Sequence, residues 1–392
     1  MNFQRDPVVI VGAGPVGLTL AWRLSQAGMR VKVFEAEAEI PQQLRASTFH
    51  PPTLDMFDAS GITDALISQG RITPTWQVRM LETGDRAEFN LGVLRDDTAH
   101  PYRLQCPQAE LSRTLLARLP DDCVTFSAPV SSVDQDHDGA FVTVNQRRHR
   151  GAVIVGCDGA RSIVRRAMGV AFDGETYPEN TVLVTSGFAF EDHIQGLSGV
   201  NYIWKAGGTF SLLRLPDLWR ISLHPAAGQS IENALQDDAI RAQIQAVVPE
   251  AASIDIVEKR IYRVHRRVAT CYQNGALFVA GDAAHLNSPK GGMGMNGGIH
   301  DAWDLANRLI AVANGEPTRH LEGYDRTRRP IARDDILQQA DQNRARMNVT
   351  DPSARLEQLR KLQAIADNCE KARTFLLRSS MIEGLRRAQT LA

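Results

Sequence analysis

The sequence predicts an α/β protein in which a parallel-sheet domain carries an inserted antiparallel β-sheet and is followed by a helical C-terminal segment. Three observations favour this fold class. A βαβ pattern occupies residues 7–34, strand-like stretches between Gly, Pro and Asp turns fill 177–268, and the pattern after Pro330 is almost wholly helical.

The composition limits the classes of function. With 392 residues, 43% of them hydrophobic, the chain can bury one large core or two moderate ones. Its 44 Lys and Arg balance 45 Asp and Glu, so we expect no nucleic-acid partner. No apolar run approaches the roughly 20 residues that span a bilayer, and the five cysteines have no paired spacing. We therefore expect a cytoplasmic protein with no membrane association.

The first motif is a glycine-rich turn between a strand and a helix. Gly12, Gly14 and Gly17 have the GxGxxG spacing, with Pro15 between them. The first glycine allows the tight turn, the second lets a pyrophosphate approach the backbone, and the third lets helix and strand pack closely. Glu35 ends the second strand, where its carboxylate would accept from a ribose 2′-hydroxyl and repel a 2′-phosphate. The unit is Rossmann-like and favours FAD or NAD over NADP.

The remaining elements follow in order. Residues 51–60 and 111–119 are helical in pattern, and 152–155 is a buried-strand candidate that leads into CDGARS at 157–162. Strand candidates at 181–190, 201–204, 209–215 and 219–224 alternate with turns, and one helical stretch, 231–247, interrupts them. A buried strand at 276–280 then leads into a second glycine-rich stretch, GDAAHLNSPKGGMGMNGG at 281–298, before a helical pattern at 299–313. The many glycines at this strand-to-helix junction indicate that a large rigid group lies against backbone that carries no side chains.

Three motifs occur in one order: GAGPVG at 12–17, CDGARSIVR at 157–165 and GDAAHLNSPKGGMGMN at 281–296. In these motifs the chain resembles the flavin-dependent aromatic hydroxylases, single-component FAD monooxygenases of the para-hydroxybenzoate hydroxylase type. RASTFHPPTLDMF at 45–57, QAELSRTLLARL at 108–119 and YDRTRRP at 324–330 support it. The resemblance implies a Rossmann-like FAD-binding domain at 1–176 and 269–330, with a substrate-side excursion near 73–105. It also implies a substrate-binding sheet at 177–268 and a C-terminal helical segment at 331–392.

The resemblance implies a tightly bound, non-covalent FAD. Its ADP half would lie on the first glycine turn and Glu35. Arg45 and Gln108 match positions at the pyrophosphate and ribityl side, and Asp282 matches the acid that binds a ribityl hydroxyl. Asp158 matches an acid linked to FAD and NAD(P)H handling.

The second glycine stretch would form the platform of the flavin ring. Its implied contacts are Pro289, Gly292, Gly294, Met295 and Asn296. The glycines keep side chains away from the ring. The N–H groups of Met295 and Asn296 would begin the next helix, whose positive end stabilises the anionic reduced flavin.

The implied reaction uses O2 and a transient nicotinamide cofactor, NADPH or NADH. The reduced flavin forms a C4a-hydroperoxide that hydroxylates a small phenol or hydroxylated heteroaromatic. No second βαβ glycine fingerprint is present, so we expect no separate nicotinamide domain. Arg161 and Arg165 either attract the phosphates of NAD(P)H or make ordinary surface pairs.

The substrate pocket is expected between the inserted sheet and the flavin. Tyr202, Arg214, Arg220 and His224 are the candidate catalytic residues on the sheet, and Pro289 is the candidate beside the ring. Either arginine would pair with a substrate carboxylate, and Tyr202 or His224 would help deprotonate a phenol. The alternative for each is a core aromatic or a surface stack.

Several alternatives stay open at this stage. His50 either lies near the ring or is a hydrogen-bonded turn histidine, and His285 is either functional or packs behind the turn. The protein is a hydroxylase, a flavin oxidoreductase of the same fold that inserts no oxygen, or a non-catalytic flavin-binding protein. The assembly state is open, with a homodimer as one candidate.

Overall fold

The structure, a computed structural model, describes residues 2–43, 45–136, 139–206, 208–225 and 228–391. Its strands are β1 (Val8–Val11), β2 (Val31–Phe34), β3 (Thr48–Phe49), β4 (Arg71–Thr73), β5 (Thr75–Met80), β6 (Arg86–Asn90), β7 (Arg103–Gln105), β8 (Val124–Thr125), β9 (Val130–Asp136), β10 (Gly139–Val144), β11 (Arg147–Gly151), β12 (Val153–Gly156), β13 (Phe172–Ser186), β14 (Val200–Lys205), β15 (Gly208–Arg214), β16 (Trp219–Leu223), β17 (Glu258–Ala269), β18 (Gln273–Asn274), β19 (Leu277–Val279) and β20 (His285–Leu286). Its α-helices are α1 (Pro15–Gln26), α2 (Pro51–Asp58), α3 (Ile62–Gln69), α4 (Gln108–Leu116), α5 (Ile163–Ala167), α6 (Phe190–His193), α7 (Ile231–Ala234), α8 (Asp237–Gln245), α9 (Met293–Ala313), α10 (Glu322–Ile331), α11 (Gln338–Met347), α12 (Pro352–Ala366), α13 (Cys369–Ser379) and α14 (Ile382–Leu391).

Six strands form a mainly parallel sheet in the order β18–β19–β12–β1–β2–β8. The central strand β1 pairs in parallel with β12 and β2, so that Val8 lies opposite both Val153 and Val31. Every residue of β1 and β12 is buried, because both faces of the sheet are covered. On this sheet α1 packs against α9, and the chain enters α1 directly from β1. The predicted Rossmann-like α/β fold is confirmed.

Eight strands form the second large sheet, in the order β20–β17–β13–β16–β15–β14–β5–β6. Its neighbours pair antiparallel except β5 and β14, which run parallel. The pair β5–β6 comes from 75–90, far before the other strands in sequence. The strands β13 and β17 form the longest ladder of this sheet, and Phe172 opposite Ala269 is the pair at one end of that ladder. The predicted antiparallel sheet is therefore present, while the domain boundaries at 177, 268 and 330 stay a prediction.

Two helices differ from the sequence expectation. The stretch 231–247 contains two helices, α7 and α8, and not one, because α7 ends at Ala234 and a new helix begins at Asp237. The helix expected from residue 299 begins at Met293. The six additional residues, MGMNGG, carry no helical apolar period, so the pattern concealed the true start of the helix.

The C-terminal segment is helical, as predicted. Helices α12 and α13 cover the β5–β6 edge, where the ring centroids of Trp76 and Phe89 lie 4.6 Å apart and those of Phe89 and Phe375 lie 4.8 Å apart. A π-helical turn, Ala332–Leu337, joins α10 to α11. Across the described ranges, no helix combines the length and hydropathy that crossing a bilayer requires.

Candidate active site

The three sequence motifs meet at one edge of the parallel sheet. The strands β19, β12 and β1 are neighbours in that order, and each motif follows the carboxyl end of one of them. The carboxyl ends of parallel strands share an edge, and open α/β sheets bind ligands there. The sheet order therefore brings together segments that lie up to about 280 residues apart in sequence.

Two glycines of the first turn lie too close to neighbouring backbone to carry a side chain. A Cβ on Gly12 would lie 2.5 Å from the carbonyl oxygen of Cys157, and one on Gly17 would lie 2.0 Å from that of Gly12. The N-cap of α1, Gly14, faces open space, with no heavy atom within 4 Å of its Cβ position. Pro15 starts the helix, and the N–H groups of the first turn have no helical partner. The open side of Gly14 is thus the side on which a phosphate fits.

Glu35 anchors this turn to the end of β2. Its Oε2 accepts a hydrogen bond from the N–H of Ala13 at 2.6 Å, and its Oε1 accepts from the N–H of Glu37 at 2.9 Å. The carboxylate is therefore held beside the glycine turn. Its predicted contact with a ribose hydroxyl stays a prediction.

Asp158 shapes the second motif. Its Oδ2 accepts from the N–H of Ile163 at 2.7 Å, while its buried Oδ1 has no hydrogen-bond partner. Burial raises the pKa of the Asp158 carboxyl group, against hydrogen bonds from Ser162 and Ile163 that lower it. A buried acceptor without a donor is the kind of atom that a bound ligand satisfies.

Arg165 is not placed to attract a visiting cofactor. Its Nη1 donates to the carbonyl of Ala283 and its Nη2 to that of Ala160, each at 2.8 Å. The guanidinium lies 3.8 Å from the ring centroid of Phe172. Arg165 is buried and ties the second motif to the third, whereas Arg161 is exposed.

Asp282 stands at the open end of β19. It is exposed between the buried residues Gly281 and Ala283, yet protein surrounds its carboxyl group on most sides. This desolvation raises the pKa of Asp282, while the positive charges of His285 and Arg45 lower it. The carboxylate is thus accessible from the edge where the motifs meet.

Arg45 and Gln108 reach the same edge. The Oε1 atom of Gln108 accepts from the N–H of Ala46 at 3.2 Å, which fixes the segment that presents Arg45. Arg45 is exposed, and its charge acts on Asp282. The structure therefore brings these three predicted cofactor residues together.

The N-terminus of α9 is a bare cradle. Gly292 is its N-cap, with φ +69°, and a Cβ there would lie 2.9 Å from the Cβ of Thr48. Met293, Gly294 and Met295 form the first turn, so their N–H groups lack helical acceptors. A Cβ on Gly294 would lie 3.0 Å from the Oδ1 atom of Asn287. The positive end of the helix is left open for an anionic group.

Asn296 acts through its side chain, which corrects the role expected for its N–H group. Because α9 begins at Met293, Asn296 lies beyond the three free N–H groups of the helix. Its Nδ2 donates to the carbonyls of Thr48 and Gly292, at 2.8 and 2.7 Å, and its Oδ1 accepts from the N–H of His50 at 2.9 Å. Asn296 therefore joins the cradle to β3.

His50 is buried behind the same loop. Its Nε2 lies 2.8 Å from the carbonyl oxygen of Gly291. Burial and the nearby charge of Arg103 lower the pKa of His50 to about 3, so the ring is neutral. Its Nε2 is then the protonated nitrogen and donates to that carbonyl.

Sequence reasoning missed a buried ion pair behind the motif. Arg328 Nε donates to Asp301 Oδ1 at 2.8 Å, and the other oxygen of Asp301 lies 2.7 Å from His285 Nε2 and accepts from the N–H of Gly281 at 3.2 Å. The three side chains are fully buried, so His285 packs behind the turn. The segment YDRTRRP contains Arg328, but nothing in the sequence pairs it with Asp301.

A cavity lies between the eight-stranded sheet and the cradle; with the open solvent at its mouth included, it encloses about 600 Å³ of unfilled space. The residues that line it are Thr48, Arg103, Thr181, Val200, Tyr202, Thr209, Phe210, Ser211, Leu213, Arg220, Ser222, His224, Tyr262, Pro289, Lys290, Gly291, Gly292 and Met347. Four of the five predicted catalytic residues are among them. Pro289 and the two glycines place the cofactor cradle in the cavity wall.

Arg214 is the predicted residue that the structure does not bring to this cavity. In the β15–β16 ladder, Leu213 lies opposite Arg220 on the cavity face, so Arg214 and Trp219 share the other face. The guanidinium of Arg214 lies 5.3 Å from the Trp219 ring centroid, and its Nη2 lies 3.3 Å from Glu191 Oε1. Arg214 is thus the stacked, paired arginine of the alternative interpretation.

Burial lowers the pKa of two titratable side chains in the cavity, those of His224 and Lys290. Desolvation and the charge of Lys290 lower the pKa of His224 to about 4, although a backbone bond to Asn180 opposes this. Desolvation and the charge of Arg344 lower the pKa of Lys290 to about 8. At neutral pH His224 is uncharged; one ring nitrogen donates to the Asn180 carbonyl, and the other carries a lone pair that can accept a hydrogen bond.

Arg103 and Lys290 were not predicted as site residues. Arg103 belongs to the three-residue strand β7, which is too short to show a period. Lys290 lies inside the glycine stretch GDAAHLNSPKGGMGMN, and a charged side chain beside glycines is the sequence signal that marks it as a candidate site residue. Both line the cavity.

The residues at the sheet edge fit an FAD molecule. Gly14 leaves space at a helix N-terminus for a pyrophosphate, and the first turn of α9 leaves a second bare surface for the ring. Asp282 offers an accessible carboxylate between the two, and Asp158 Oδ1 is a buried acceptor that no protein group satisfies.

Comparison with known proteins agrees with this geometry. Residues 5–340 match the family model described as an FAD binding domain. The chain is 32% identical over 396 residues to para-nitrophenol 4-monooxygenase of Pseudomonas sp. strain WBC-3, and the alignment covers 97% of each chain. It is 30% identical over 339 residues to 6-hydroxy-3-succinoylpyridine 3-monooxygenase of Pseudomonas putida, which covers 83% of this chain and 85% of the relative.

The fold comparison extends over nearly the whole chain. The crystal structure of p-nitrophenol 4-monooxygenase from Pseudomonas putida superposes with a TM-score of 0.90 at 30% identity, covering 97% of this chain and 98% of that one. The glycine turn, the Asp158 segment and the α9 cradle lie within the matched range. The chain therefore belongs to the FAD binding domain family, as one of its flavin-dependent aromatic hydroxylases.

Proposed function

We propose that the protein uses NAD(P)H and O2 to hydroxylate a phenolic or hydroxylated heteroaromatic compound beside a bound FAD. In this reaction one oxygen atom enters the ring and the other leaves as water, with two electrons from NAD(P)H. Bound FAD supplies the redox and oxygen-activating chemistry. The protein supplies binding and orientation, and a substrate in the cavity would displace water from the face of the ring.

The observation that carries the proposal is the shared wall of cofactor cradle and cavity. Pro289, Gly291 and Gly292 line the cavity, and Gly292 is the N-cap of α9. A ring lying on the cradle would therefore form one side of the cavity, within reach of an aromatic molecule there. The names of two relatives, acting on a nitrophenol and on a hydroxypyridine, support the same substrate class.

Five parts of the chain would hold FAD. Gly14 and the N-terminus of α1 would receive the pyrophosphate, Asp282 would accept from the ribityl chain, and Glu35 would accept from the ribose. The free N–H groups at the start of α9 would donate to the pyrimidine edge of the ring. Arg45 would offer a positive charge to the phosphates.

Two cavity residues would act on the substrate hydroxyl. His224 is neutral, with one nitrogen bound to the Asn180 carbonyl, so its other nitrogen would accept the phenolic hydrogen. The hydroxyl of Tyr202 lies on the same cavity surface and would donate to the phenolic oxygen. Removing or weakening the O–H bond makes the ring a better nucleophile.

The nicotinamide cofactor would bind transiently at the surface. The GxGxxG turn of the FAD fingerprint lies between the consecutive parallel strands β1 and β2, and no other two consecutive parallel strands in the described chain enclose such a turn. The exposed Arg161 is the remaining candidate for contact with its phosphates, because Arg165 is buried and bonded.

The test is an assay of the FAD-loaded protein with labelled oxygen. We expect NADH or NADPH oxidation that a phenol or hydroxypyridine stimulates, with one atom from ¹⁸O₂ in the product. Stoichiometric hydrogen peroxide without an oxygenated product would identify the oxidoreductase alternative. A protein that stays colourless after FAD is added and the excess removed would refute the cofactor assignment.

A further inference from the structure

The cavity has an unbalanced charge. Arg103, Arg220 and Lys290 line it, and no Asp or Glu is found among the described residues of its wall. A fourth cation, Arg346, is half-buried and lies near Tyr202. A wall with several cations and no carboxylate is suited to an anion.

Arg103 lies deepest in this set. It is 3% exposed, its guanidinium lies 5.2 Å from the ring centroid of Trp76, and its Nε has no hydrogen-bond partner. Among the described residues, the side chain of Tyr202 is within hydrogen-bonding reach of its guanidinium. Because a guanidinium only donates, Tyr202 accepts through its oxygen and keeps its own hydrogen for another partner.

Two other buried arginines, Arg328 and Arg220, have acceptors of a kind that Arg103 lacks among the described residues. Arg328 is 1% exposed and is paired with Asp301 at 2.8 Å. Arg220, at 9% exposed, donates to the carbonyl of Arg45 at 3.2 Å and to the hydroxyl of Ser47 at 2.9 Å. A buried guanidinium with neither a carboxylate nor a carbonyl acceptor among the described residues is strongly unfavourable, so an anionic ligand is a natural partner for Arg103.

We propose that Arg103, together with the Tyr202 hydroxyl, binds an oxyanion of the aromatic substrate, so that substrates enter this cavity as anions. The inference rests on the proposed function and adds a substrate class to it. The oxyanion is a carboxylate or a phenolate, both of which accept charge-assisted hydrogen bonds from a guanidinium. The contact of the Arg103 guanidinium with the Trp76 ring favours this position of the charge before the substrate arrives.

The test measures equilibrium binding to the oxidised, FAD-loaded protein through the change in flavin absorbance. Two matched pairs distinguish the sources of the charge. The first is 4-hydroxybenzoate against 4-hydroxybenzamide, for a carboxylate. The second is 4-nitrophenol against 4-nitroanisole, for a phenolate. We expect the anion of at least one pair to bind about tenfold more tightly or better than its neutral partner.

Variants locate the effect at Arg103. R103Q should reduce the preference for the anion to about twofold or less, and R103K should retain part of it, because a lysine keeps the charge without the fork. R214Q is the matched control: Arg214 lies on the opposite face of the same sheet, so the preference should be unchanged. If R103Q does not fold, Y202F serves instead and should weaken anion binding by severalfold.

The outcomes separate this inference from the proposed function. Equal binding of neutral and anionic partners by the unaltered protein, or an anion preference that survives in R103Q, would overturn it. So would the failure of every anionic aromatic in such a panel to bind. Anion-selective binding without any oxygenated product would instead leave Arg103 as the anion site and overturn the hydroxylase proposal.

Discussion

Arg328 donates through Nε to Asp301 Oδ1 at 2.8 Å, and both side chains are almost completely excluded from solvent. The same carboxylate accepts from the N–H of Gly281, the first residue of the second glycine stretch. The pair therefore couples helix α10 to the turn that presents Asp282.

Replacing Asp301 with Asn should destabilise the protein severely. It leaves the guanidinium of Arg328 buried without a counter-charge, which lowers the free energy of unfolding by about 3–5 kcal/mol. Urea unfolding of the apoprotein measures the loss. The control is Glu322→Gln, which breaks an exposed pair with Arg326 and should change stability by less than about 0.5 kcal/mol. Equal effects of the two changes would contradict this account of the ion pair.

Two glycines of the first turn should respond differently to alanine. Gly17→Ala places a Cβ 2.0 Å from the Gly12 carbonyl and should lower the free energy of unfolding of the apoprotein by about 1–3 kcal/mol. Gly14→Ala meets no protein atom, so the apoprotein should lose less than about 1 kcal/mol. Because its new methyl group occupies the space assigned to the pyrophosphate, FAD affinity should fall about tenfold or more, equivalent to about 1.4 kcal/mol. Urea unfolding and FAD titration test both; unaltered FAD affinity in Gly14→Ala would refute the assignment of that space.

The Asp282 carboxylate should stabilise bound FAD while it lowers the stability of the apoprotein. Because desolvation raises its pKa, the folded state disfavours the ionised carboxylate at neutral pH. Asp282→Asn should therefore leave the apoprotein at least as stable as the unaltered one, while Asp282→Ala and Asp282→Asn both weaken FAD retention. Gel filtration followed by flavin absorbance measures retention. Full occupancy in Asp282→Ala would remove its assigned role.

His224 should make the apoprotein sensitive to mild acid. The unfolded chain protonates His224 near pH 6.5, while the folded protein does so only near pH 4, because burial and Lys290 oppose the charge. Stability is therefore unaffected above about pH 6.5 and falls by up to about 3 kcal/mol as the pH drops to 4. His224→Gln should lose less stability over this interval than the unaltered protein, whereas the exposed His320→Gln should not. Parallel pH curves for His224→Gln and the unaltered protein would argue against a buried neutral ring.

Local signals in the sequence were enough to predict the cofactor edge. Gly17 is dictated by a contact within its own turn, and Gly12 by the Cys157 carbonyl at the end of the neighbouring strand, which the fold class places there. A glycine motif between a buried strand and a helix therefore records both positions. The strand order β19–β12–β1 then follows from the fold class. In contrast, the partnership of Asp301 and Arg328 depends on how α9 crosses α10, and no local pattern encodes it.

The substrate side was harder to predict because both faces of its sheet are covered. Leu212 belongs to one core cluster and Leu213 to another, so β15 shows no polar alternation that would fix which side faces the cavity. The choice between Arg214 and its neighbours was therefore open from sequence alone. Arg103 reaches the cavity through pairing of β7 with β3 and β4, a contact between short strands that carry no periodicity.

The loop from Pro289 to Gly292 forms part of the substrate cavity and also caps the helix on which the cofactor ring would rest. This loop would therefore contact both ligands, so a conformational change that alters the binding of one would also alter the binding of the other. By thermodynamic reciprocity, whatever factor FAD contributes to substrate affinity, substrate must return to FAD affinity. If FAD raises substrate affinity, a saturating substrate will slow the loss of cofactor during purification; if FAD lowers it, the substrate will speed that loss.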